Sequence, residues 1–369
     1  MKNVIYSPEI FCWQKYGGVS RYFAELIPAV MASGWSVDVN AGFYLNAYLD
    51  NLRGAGIVRG HEICCKNRVG KLGRTTLLIL NSIIFNAGLP NKEGVIHQTY
   101  YSPFTKRNRR LVLTVYDFIQ ERLISERHGA LPKLARRKSI LSAERLIAIS
   151  EATKRDLLDL YNIPSERVEV IHLGVNFDEN LIVGKSRYGA MQPYLLYVGV
   201  RAGYKKFETL VRAFAASTLL RTNFKLVCFG GGQFTVNETS LFFKHKISKS
   251  IEWVEGDDKL LETYYRKATV LVYPSLYEGF GLPVLEAMAN GCPVICSNTS
   301  SLPEVGGNAV IYFSQHDVDS LRDVIERTVV DDGMLLMLEK RGRERARGFS
   351  WQETARKTIL IYQQVIEGG

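Results

Sequence analysis

Two glutamates, Glu278 and Glu286, stand eight residues apart where an apolar strand pattern gives way to a helical one. The loop between them contains Gly279 and Gly281, which lack side chains and let the backbone approach a ligand closely. Pro283 is a favoured residue at a helix start, where backbone N–H groups attract anions. An ionised carboxylate can accept hydrogen bonds from two hydroxyls at once, so the pair suits the vicinal hydroxyls of a sugar. The residues alone equally allow two glutamates that merely favour the helix dipole.

The spacing of these glutamates within EGFGLPVLEAMANGCPVI, followed by SSLPEV, resembles the family 4 retaining glycosyltransferases of the GT-B fold. The resemblance covers nearly the whole chain and is weakest from residue 46 to residue 91. It implies that Glu278 contacts hydroxyls of the donor sugar and that Glu286 holds the ribose hydroxyls of its nucleotide. It also implies that main-chain N–H groups near the sugar and diphosphate come from the loop residues Gly279, Phe280, Gly281 and Leu282.

A cationic pair is implied by a second segment, YVGVRAGYKKFETLVRAF, which resembles the family's strand with a following glycine, arginine and lysine. Arg201 and Lys205 would lie on the donor diphosphate, and Lys206 is an alternative for the functional lysine. The leaving diphosphate gains negative charge as the glycosidic bond breaks, so fixed cations stabilise the transition state without a metal. Taken alone, such residues are more often surface charges, but their position after a buried strand favours the functional interpretation.

Further positions in the first half of the chain match the family. Gly17 and Gly18 in KYGGVSRY resemble its glycine loop over the donor diphosphate, and a plain turn is the alternative. In TVYDF, Asp117 matches the family's aspartate and is expected either to face the acceptor hydroxyl or to order the loop. Tyr116 stands where a histidine is usual, and this departure argues against a histidine-based role there. His97 resembles a recurrent histidine on the acceptor side, with a hydrogen-bonded core histidine as the alternative.

The resemblance further implies transfer with retention of the anomeric configuration, in which the acceptor oxygen attacks from the side of the leaving diphosphate. An oxygen of that diphosphate would take the acceptor proton, so no dedicated general base is expected. The residues implied in catalysis are Glu278, Arg201, Lys205 and Asp117. No metal and no cofactor is predicted. Asp317 and Asp319 formally match a D-x-D pattern, but an Asp at the start of a helical pattern is a routine cap.

The donor is expected to be GDP-mannose, because SNTSSLPEV resembles sequences common among mannosyltransferases of surface-polysaccharide assembly. UDP-sugars and dTDP-rhamnose stay open, since base recognition in this fold is often made by the main chain. The expected acceptor is a hydroxyl of a growing glycan, preferably one carried on a polyprenyl diphosphate lipid. Sugar-nucleotide epimerases and phosphorylases are rival enzymes on the same fold, and the Gly-Phe-Gly loop between the glutamates favours the transferase.

The positive charge of the chain is concentrated in one segment. The formal net charge is +10, and residues 66–138 hold 15 Lys and Arg against 4 Asp and Glu. That segment fits peripheral contact with an anionic membrane or a diphosphate acceptor, and a solvated basic face is the alternative. A non-enzymatic nucleic-acid-binding protein is the rival class. We find no interleaved aromatic and basic motif and no RNA-recognition signature, so no nucleic-acid partner is expected.

Apolar runs alternate with amphipathic stretches throughout the 369 residues, which predicts an α/β protein with parallel sheets covered by helices on both faces. The pattern restarts in the second half, so we expect a GT-B arrangement of two Rossmann-like, doubly wound domains facing across a ligand cleft. The predicted limits are 1–178 for an N-terminal acceptor-binding domain, 179–193 for a linker, 194–348 for a C-terminal nucleotide-sugar-binding domain and 349–369 for a helix that crosses back.

The strands predicted within these domains are NVIYS, WSVDVNAG, GVIHQ, LVLTVYD, RLIAIS, VEVIHLGV, YLLYVGV, KLVCFGGG, TVLVYPS, PVICSN and AVIYF. The N-terminal MKNVIYSPEIF contains no apolar core of signal-peptide length, and the longest apolar run, near Leu77 to Leu89, is too short for a membrane span. The cysteines form no C-x-x-C pair and are interpreted as reduced thiols. We therefore expect a cytoplasmic protein that works at the inner face of the cytoplasmic membrane.

Overall fold

The computed structural model describes residues 2–63, 69–87, 94–105, 110–123, 130–181, 192–201, 203–314 and 317–368. The chain divides into two compact units. Unit 1 comprises Met1–Gly174 with Trp351–Gly369, and unit 2 comprises Val175–Ser350. Each unit is a parallel sheet with flanking helices, so the α/β class and the two Rossmann-like domains expected from the sequence are confirmed.

Unit 1 is built on a seven-stranded sheet in the order β3-β2-β1-β4-β5-β6-β7, in which every neighbouring pair is parallel. Its strands are β1 (Asn3–Tyr6), β2 (Ser36–Tyr44), β3 (Val58–Glu62), β4 (Val95–Gln98), β5 (Leu111–Val115), β6 (Arg145–Ala148) and β7 (Val168–Val170). The helices that precede β7 are α1 (Glu9–Trp13), α2 (Gly18–Ala32), α3 (Asp50–Arg53), α4 (Lys71–Ala87), α5 (Ile119–Leu123), α6 (Ala130–Ser142) and α7 (Glu151–Tyr161).

Unit 2 is built on a six-stranded sheet in the order β10-β9-β8-β11-β12-β13, again with parallel neighbours. Its strands are β8 (Tyr194–Val198), β9 (Lys225–Phe229), β10 (Ile251–Val254), β11 (Val270–Tyr273), β12 (Val294–Ser297) and β13 (Ile311–Phe313). Its helices are α8 (Phe207–Ala216), α9 (Thr218–Asn223), α10 (Val236–Lys244), α11 (Asp258–Lys267), α12 (Leu282–Ala289), α13 (Leu302–Gly306), α14 (Val318–Val329) and α15 (Asp332–Ala346). The last helix of the chain, α16 (Trp351–Glu367), packs within unit 1.

The central strands follow from their sequences, because each is a short apolar run that the helices cover on both faces. Every residue of β4 and β5 is buried, as is every residue of β8 and β11. Near-continuous apolar strands of this kind are typical of parallel sheets, and β4 differs only in ending with two buried polar residues, His97 and Gln98. The sequence predicted the edge strands β7 and β13 but missed the other two, β3 and β10. Since edge strands are half-solvated, their patterns V-R-G-H-E and I-E-W-V are interrupted by polar residues.

The limits of the units differ from the predicted domain limits at two points. Residues 349–350, predicted to belong to the final helix, lie in unit 2. Residues 175–178, predicted to belong to the first domain, lie in unit 2. The Val175 N–H donates to the Phe349 carbonyl at 3.0 Å, and the guanidinium groups of Arg343 and Arg347 lie over the ring of Phe177. Of the predicted linker 179–193, residues 182–191 lie outside the described residues.

Other local differences concern single turns. The helical stretch at the end of unit 2 is broken between α14 and α15, where Asp331 accepts a hydrogen bond from the Met334 N–H and so caps α15. The short helix α1 was not predicted before the KYGGVSRY loop. None of the helices in the described ranges is long and apolar enough to cross a membrane. The described cysteines are free and buried, namely Cys12, Cys228, Cys292 and Cys296, whereas Cys64 and Cys65 lie outside the described residues.

Candidate active site

At the centre of the sheet in unit 2, between β8 and β11, the order in which successive strands are added to the sheet reverses. Strands β8 and β11 are neighbours, yet β8 is followed by β9 on one side and β11 by β12 on the other. In a parallel sheet this arrangement opens a crevice at the carboxyl ends of the two strands, where ligands bind. Lys205 follows β8 and Glu278 follows β11, so both lie at this edge.

Lys205 and Glu278 form an ion pair at the crevice. The ammonium Nζ of Lys205 lies 2.6 Å from Oε1 of Glu278 and donates to the Tyr273 hydroxyl at 2.8 Å. The two charged side chains are only 11% and 10% exposed. Burial by itself would lower the pKa of Lys205, but Tyr273 and Glu278 outweigh it and raise that pKa well above its usual range. Lys205 is therefore a cation at neutral pH, and it is Lys205, not the alternative Lys206, that pairs with the glutamate.

The peptide of Glu278 is fixed by hydroxyls from the loop after β12. The Glu278 N–H donates to Oγ of Ser300 at 2.8 Å, and the Glu278 carbonyl accepts from Oγ of Ser301 at 2.9 Å. Ser300 holds a left-handed backbone with φ 48° to make this contact. The sequence did not predict these roles. The available signal was that both serines follow a buried strand at the same edge of the sheet.

The glycine loop between the two glutamates ends at the start of α12. Gly281 has φ 96°, and a Cβ there would lie 2.6 Å from Cδ2 of Leu302, so glycine is required by both conformation and space. Phe280 is buried and packs edge-on against Phe349, whereas Leu282 is half-buried and begins α12. The predicted ligand-facing backbone, Gly279–Leu282, therefore lies at a helix N-terminus, which favours an anionic group.

Glu286 lies in the second turn of α12. Its Oε2 accepts a hydrogen bond from the Tyr265 hydroxyl on α11 at 3.0 Å, and the residue is only 7% exposed. Burying a carboxylate has a high free-energy cost unless donors surround it. Glu286 is thus a buried acceptor on the same helix that begins beside Glu278.

Arg201 has partners other than those that the resemblance implied. Its Nε donates to Oε1 of Glu238 at 2.6 Å, and its other nitrogens donate to the carbonyls of Gly230, Gly232 and Gln233 at 2.8–3.1 Å. The guanidinium also lies over the rings of Phe207 and Phe234, and the side chain is 4% exposed.

The contacts of Arg201 thus hold the glycine turn that follows β9. Gly230, Gly231 and Gly232 in this turn all have φ between 73° and 78°. Such a turn directs its carbonyl oxygens toward the guanidinium. In the structure Lys205 therefore pairs with Glu278, whereas Arg201 binds the glycine turn. A role for Arg201 on the diphosphate stays a prediction from the resemblance.

Gly17 and Gly18 lie at the N-terminus of α2 in unit 1. A Cβ on Gly17 would lie 2.5 Å from Oε1 of Gln14, the atom that accepts a hydrogen bond from the Ser20 N–H. Gly17 therefore has a packing reason to lack a side chain. A Cβ on Gly18 would meet open space, so the backbone there is accessible from outside.

His97 is a core residue at the carboxyl end of β4. Its Nδ1 lies 2.6 Å from the Tyr362 hydroxyl, and its Nε2 lies 2.8 Å from Oγ1 of Thr114. Burial lowers the pKa of His97 to about 3, so the ring is neutral near pH 7. These contacts are those of the hydrogen-bonded core histidine, the second of the two interpretations that the sequence left open.

Tyr116 and Asp117 follow β5 and are both held by local contacts. The Tyr116 hydroxyl donates to the Thr99 carbonyl at 3.0 Å, and burial raises its pKa well above the usual range, so it is not a base at neutral pH. Oδ1 of Asp117 accepts from the Ile119 N–H at 3.2 Å, at the start of α5. That contact orders the loop, one of the two expectations for Asp117.

The described residues contain no group of three or more His, Cys, Asp or Glu side chains that could hold a metal ion. Asp317, the first residue of the D-x-D pattern, accepts hydrogen bonds from the N–H groups of Asp319 and Ser320 and so caps α14. The site residues, instead of providing metal ligands, provide one ammonium, two carboxylates and the N–H groups of a helix start.

Comparison with known families assigns both halves of the chain. The family described as "Glycosyltransferase Family 4" matches residues 16–179, and the family described as "Glycosyl transferases group 1" matches residues 179–345. The second match contains the whole crevice of unit 2.

Characterised relatives match the chain in part. The O-antigen chain mannosyltransferase B of Escherichia coli is 31% identical over 239 residues, which are 61% of this chain and 62% of that protein. The MMP alpha-(1->4)-mannosyltransferase of Mycolicibacterium hassiacum is 31% identical over 232 residues, which are 60% of this chain and 54% of that protein. The chain therefore spans about three fifths of the length of these relatives.

Solved structures match over the full length. The sucrose-phosphate synthase of Thermosynechococcus elongatus superposes with a TM-score of 0.78 at 21% identity, covering 100% of this chain and 99% of that one. At this identity the likeness concerns the fold, which is the GT-B fold of two Rossmann-like domains.

Proposed function

The chain belongs to the glycosyltransferases that these two family models describe, and from that premise we propose that it moves a sugar from a nucleotide diphosphate donor to a hydroxyl of a growing glycan. The observation that carries the proposal is the buried pair of Lys205 and Glu278 beside the start of α12. A cation, two carboxylates and a helix N-terminus at one crevice fit a ligand that combines an anionic diphosphate with several hydroxyls.

Each of these residues has a donor-binding role that its contacts support. An ammonium group has three N–H donors, and Tyr273 and Glu278 accept from two of them, so the third can serve a diphosphate oxygen. Glu278 offers its carboxylate to hydroxyls of the sugar. Glu286 is buried and already accepts a hydrogen bond from the Tyr265 hydroxyl. A carboxylate that accepts from hydroxyls in this way is suited to hold the ribose hydroxyls.

The reaction proposed here proceeds with retention and without a metal or a cofactor. The bond between the sugar and the diphosphate breaks, the acceptor oxygen bonds to the same carbon from the same face, and a diphosphate oxygen takes the acceptor proton. The protein then needs to position the reactants and stabilise the charge that develops on the diphosphate. Lys205 supplies the positive charge that stabilises the diphosphate, and Glu278 holds the lysine in place when no donor is bound.

The preferred donor is GDP-mannose. Two relatives carry mannosyltransferase names, and the chain covers only part of each, so the sugar is a proposal for this protein. UDP-sugars and dTDP-rhamnose are the alternatives. The preferred acceptor is a glycan on a lipid carrier at the cytoplasmic face of a membrane, with the protein bound to that membrane peripherally.

A donor competition tests the function. The protein is incubated with GDP-mannose, UDP-glucose and dTDP-rhamnose together and a lipid-linked oligosaccharide. The transferred sugar is identified by composition analysis of the product, because mannose and glucose have the same mass, and its anomeric configuration is read from the one-bond C1–H1 coupling constant. We expect one hexose added with the donor's own anomeric configuration. Addition with inverted configuration would refute the retaining mechanism, and transfer from another donor would replace GDP-mannose.

A further inference from the structure

Helix α4 of unit 1 exposes a row of large apolar side chains. A surface helix normally buries apolar side chains and exposes polar ones. In α4 the large side chains turned to solvent are apolar, and their exposed fractions are 82% for Leu72, 42% for Leu80, 52% for Ile83 and 49% for Ile84. These four positions fall within an arc of about 120° on the helix, and Lys71 and Arg74, the charged residues of α4, fall outside that arc.

The opposite face of α4 buries polar groups. The side-chain amide of Asn81 accepts from the Phe43 N–H and donates to the Phe43 carbonyl, both at 2.9 Å. Oγ of Ser82 lies 3.0 Å from Oγ of Ser102. Phe85 is also buried in the core of unit 1. The hydrogen bonds and Phe85 together fix the packed face of α4, which leaves the apolar row turned to solvent.

The exposed apolar row continues into a neighbouring loop and then into α6. The Asn86 side chain donates to the carbonyl of Phe104, a residue that is itself 36% exposed. Lys138 on α6 donates to the Pro103 carbonyl at 2.8 Å, and the Ser102 N–H donates to Oγ of Ser139 at 2.9 Å. Residues 102–105 thus join α4 to α6.

Helix α6 adds positive charge to this surface. Its exposed residues include Lys133, Arg137 and Lys138 together with Leu134 and Leu141. The sequences of α4 and α6 contain no Asp or Glu, whereas both contain Lys and Arg. Exposed leucines among lysines and arginines are typical of helices that lie in the plane of an anionic membrane surface.

We propose that α4, residues 102–105 and α6 form a docking surface for an anionic phospholipid bilayer. The apolar row enters the boundary between headgroups and acyl chains, and the basic residues of α6 contact lipid phosphates. A second copy of the chain is a poorer occupant, because a two-fold contact would bring the same basic residues of each copy together.

The position of the docking surface within unit 1 bears on how an acceptor would reach the protein. Residues 102–105 follow β4, and β1 and β4 are the neighbours at which the sheet of unit 1 changes direction. Ligands bind at the carboxyl ends of such strands. The inference rests on the proposed function in this respect: an acceptor whose lipid tail lies in the bilayer would present its glycan near this edge.

Vesicle flotation of the full chain tests the surface. Vesicles of phosphatidylcholine alone are compared with vesicles that also contain phosphatidylglycerol, at low and high salt. We expect binding to the anionic vesicles that weakens with salt. The double variant Ile83→Ser/Ile84→Ser and the double variant Lys133→Gln/Arg137→Gln should each weaken it by about tenfold or more.

Matched controls come from unit 2. Val236 and Phe243 on α10 are 80% and 81% exposed, and Lys244 and Lys249 are exposed lysines. Val236→Ser/Phe243→Ser and Lys244→Gln/Lys249→Gln should bind vesicles as the wild type does. Equal binding by all variants, or no binding by the wild type, overturns the proposal. Conversion of an oligomer to a monomer by Ile83→Ser/Ile84→Ser, without vesicle binding, would assign the surface to a second copy.

Failure of this inference and failure of the proposed function are distinguishable. Calorimetric titration with nucleoside diphosphates reports on the crevice of unit 2, and the variants of α4 and α6 should bind the nucleotide as the wild type does. Normal nucleotide binding without vesicle binding removes only the docking surface.

Discussion

Nζ of Lys205 lies 2.6 Å from Oε1 of Glu278, although the residues are 73 positions apart and follow different strands. The pair exists because β8 and β11 are neighbours at the point where the sheet of unit 2 changes direction. The same crevice thus receives a cation from one strand and a carboxylate from the other. A buried pair of this kind is weak evidence for stability by itself, and its position at a ligand-binding edge favours a functional role.

The roles of the two residues in stability and in activity can be separated by removing the charges singly and together. Lys205→Met leaves a buried carboxylate and Glu278→Gln leaves a buried ammonium, and each should lower the free energy of unfolding by about 3 kcal/mol. The double variant should regain most of that loss but stay inactive, with kcat reduced by about 10²-fold or more. Thermal unfolding and initial rates measure the two effects. A double variant that regains activity would show that the pair is only structural.

Arg201 is predicted to act on the glycine turn more than on the donor. Arg201→Met removes hydrogen bonds to Glu238 and to three carbonyls, so it should lower the free energy of unfolding by about 3 kcal/mol. Glu238→Gln, which keeps the shape of the side chain and an oxygen that can accept from Arg201, should be milder. Unfolding by urea and nucleoside diphosphate titration check this. Loss of diphosphate affinity at unchanged stability would instead support the role that the family resemblance implies.

Glu9 in unit 1 should make stability depend on pH. Burial raises the pKa of Glu9 from its usual 4.5 to about 7, against hydrogen bonds from Ser7 and Thr99 that lower it. The folded chain therefore binds a proton more tightly than the unfolded chain, and stability falls as the pH rises from 4.5 through 7.

Glu9→Gln removes this titration. The variant should be more stable than the wild type above pH 7, by at most about 3 kcal/mol, and the difference should shrink toward zero as the pH falls to 5. Unfolding midpoints over that range measure it. A difference that is constant with pH, or that grows as the pH falls, would contradict the assignment.

Asp317 is predicted to be a helix cap with no role in metal binding. Asp317→Ala should lower the free energy of unfolding by about 1 kcal/mol, because the N–H groups of Asp319 and Ser320 lose their acceptor. Its transfer rate should equal that of the wild type. Addition of EDTA should leave both rates unchanged, and a rate that falls with EDTA and returns with a divalent cation would contradict this prediction.

The parts of the fold that the sequence predicted are those with local causes. The inner strands are continuous apolar runs, and α7 begins at Ser150, whose hydroxyl accepts from the Thr153 N–H, and ends at the left-handed Asn162. The edge strands β3 and β10 were missed because an exposed strand has no continuous apolar pattern.

The candidate site was predictable in its residue types but not in its pairing. A sequence indicates that Lys205 and Arg201 each follow a buried strand, yet it does not give the direction of a side chain. The turn after β9 supplies carbonyls and Glu238 to Arg201, and Tyr273 and Glu278 accept from Lys205. The roles of Ser300 and Ser301 were missed for the same reason. Their hydroxyls bind the main chain of Glu278 from a different loop at the same edge of the sheet, and the composition of that loop is that of any polar turn.

The most direct test of the central claim is a calorimetric comparison of ribose and deoxyribose nucleotides. GDP, UDP and dTDP, and the 2′-deoxy form of whichever ribonucleotide binds, are titrated into the wild type and into Glu286→Gln. We predict that the wild type selects one base and prefers the ribose form by about tenfold or more, and that Glu286→Gln loses the ribose preference while keeping its melting temperature. Absence of nucleotide binding in folded protein would contradict the glycosyltransferase function proposed for this crevice, and an unchanged ribose preference in Glu286→Gln would contradict the role of Glu286.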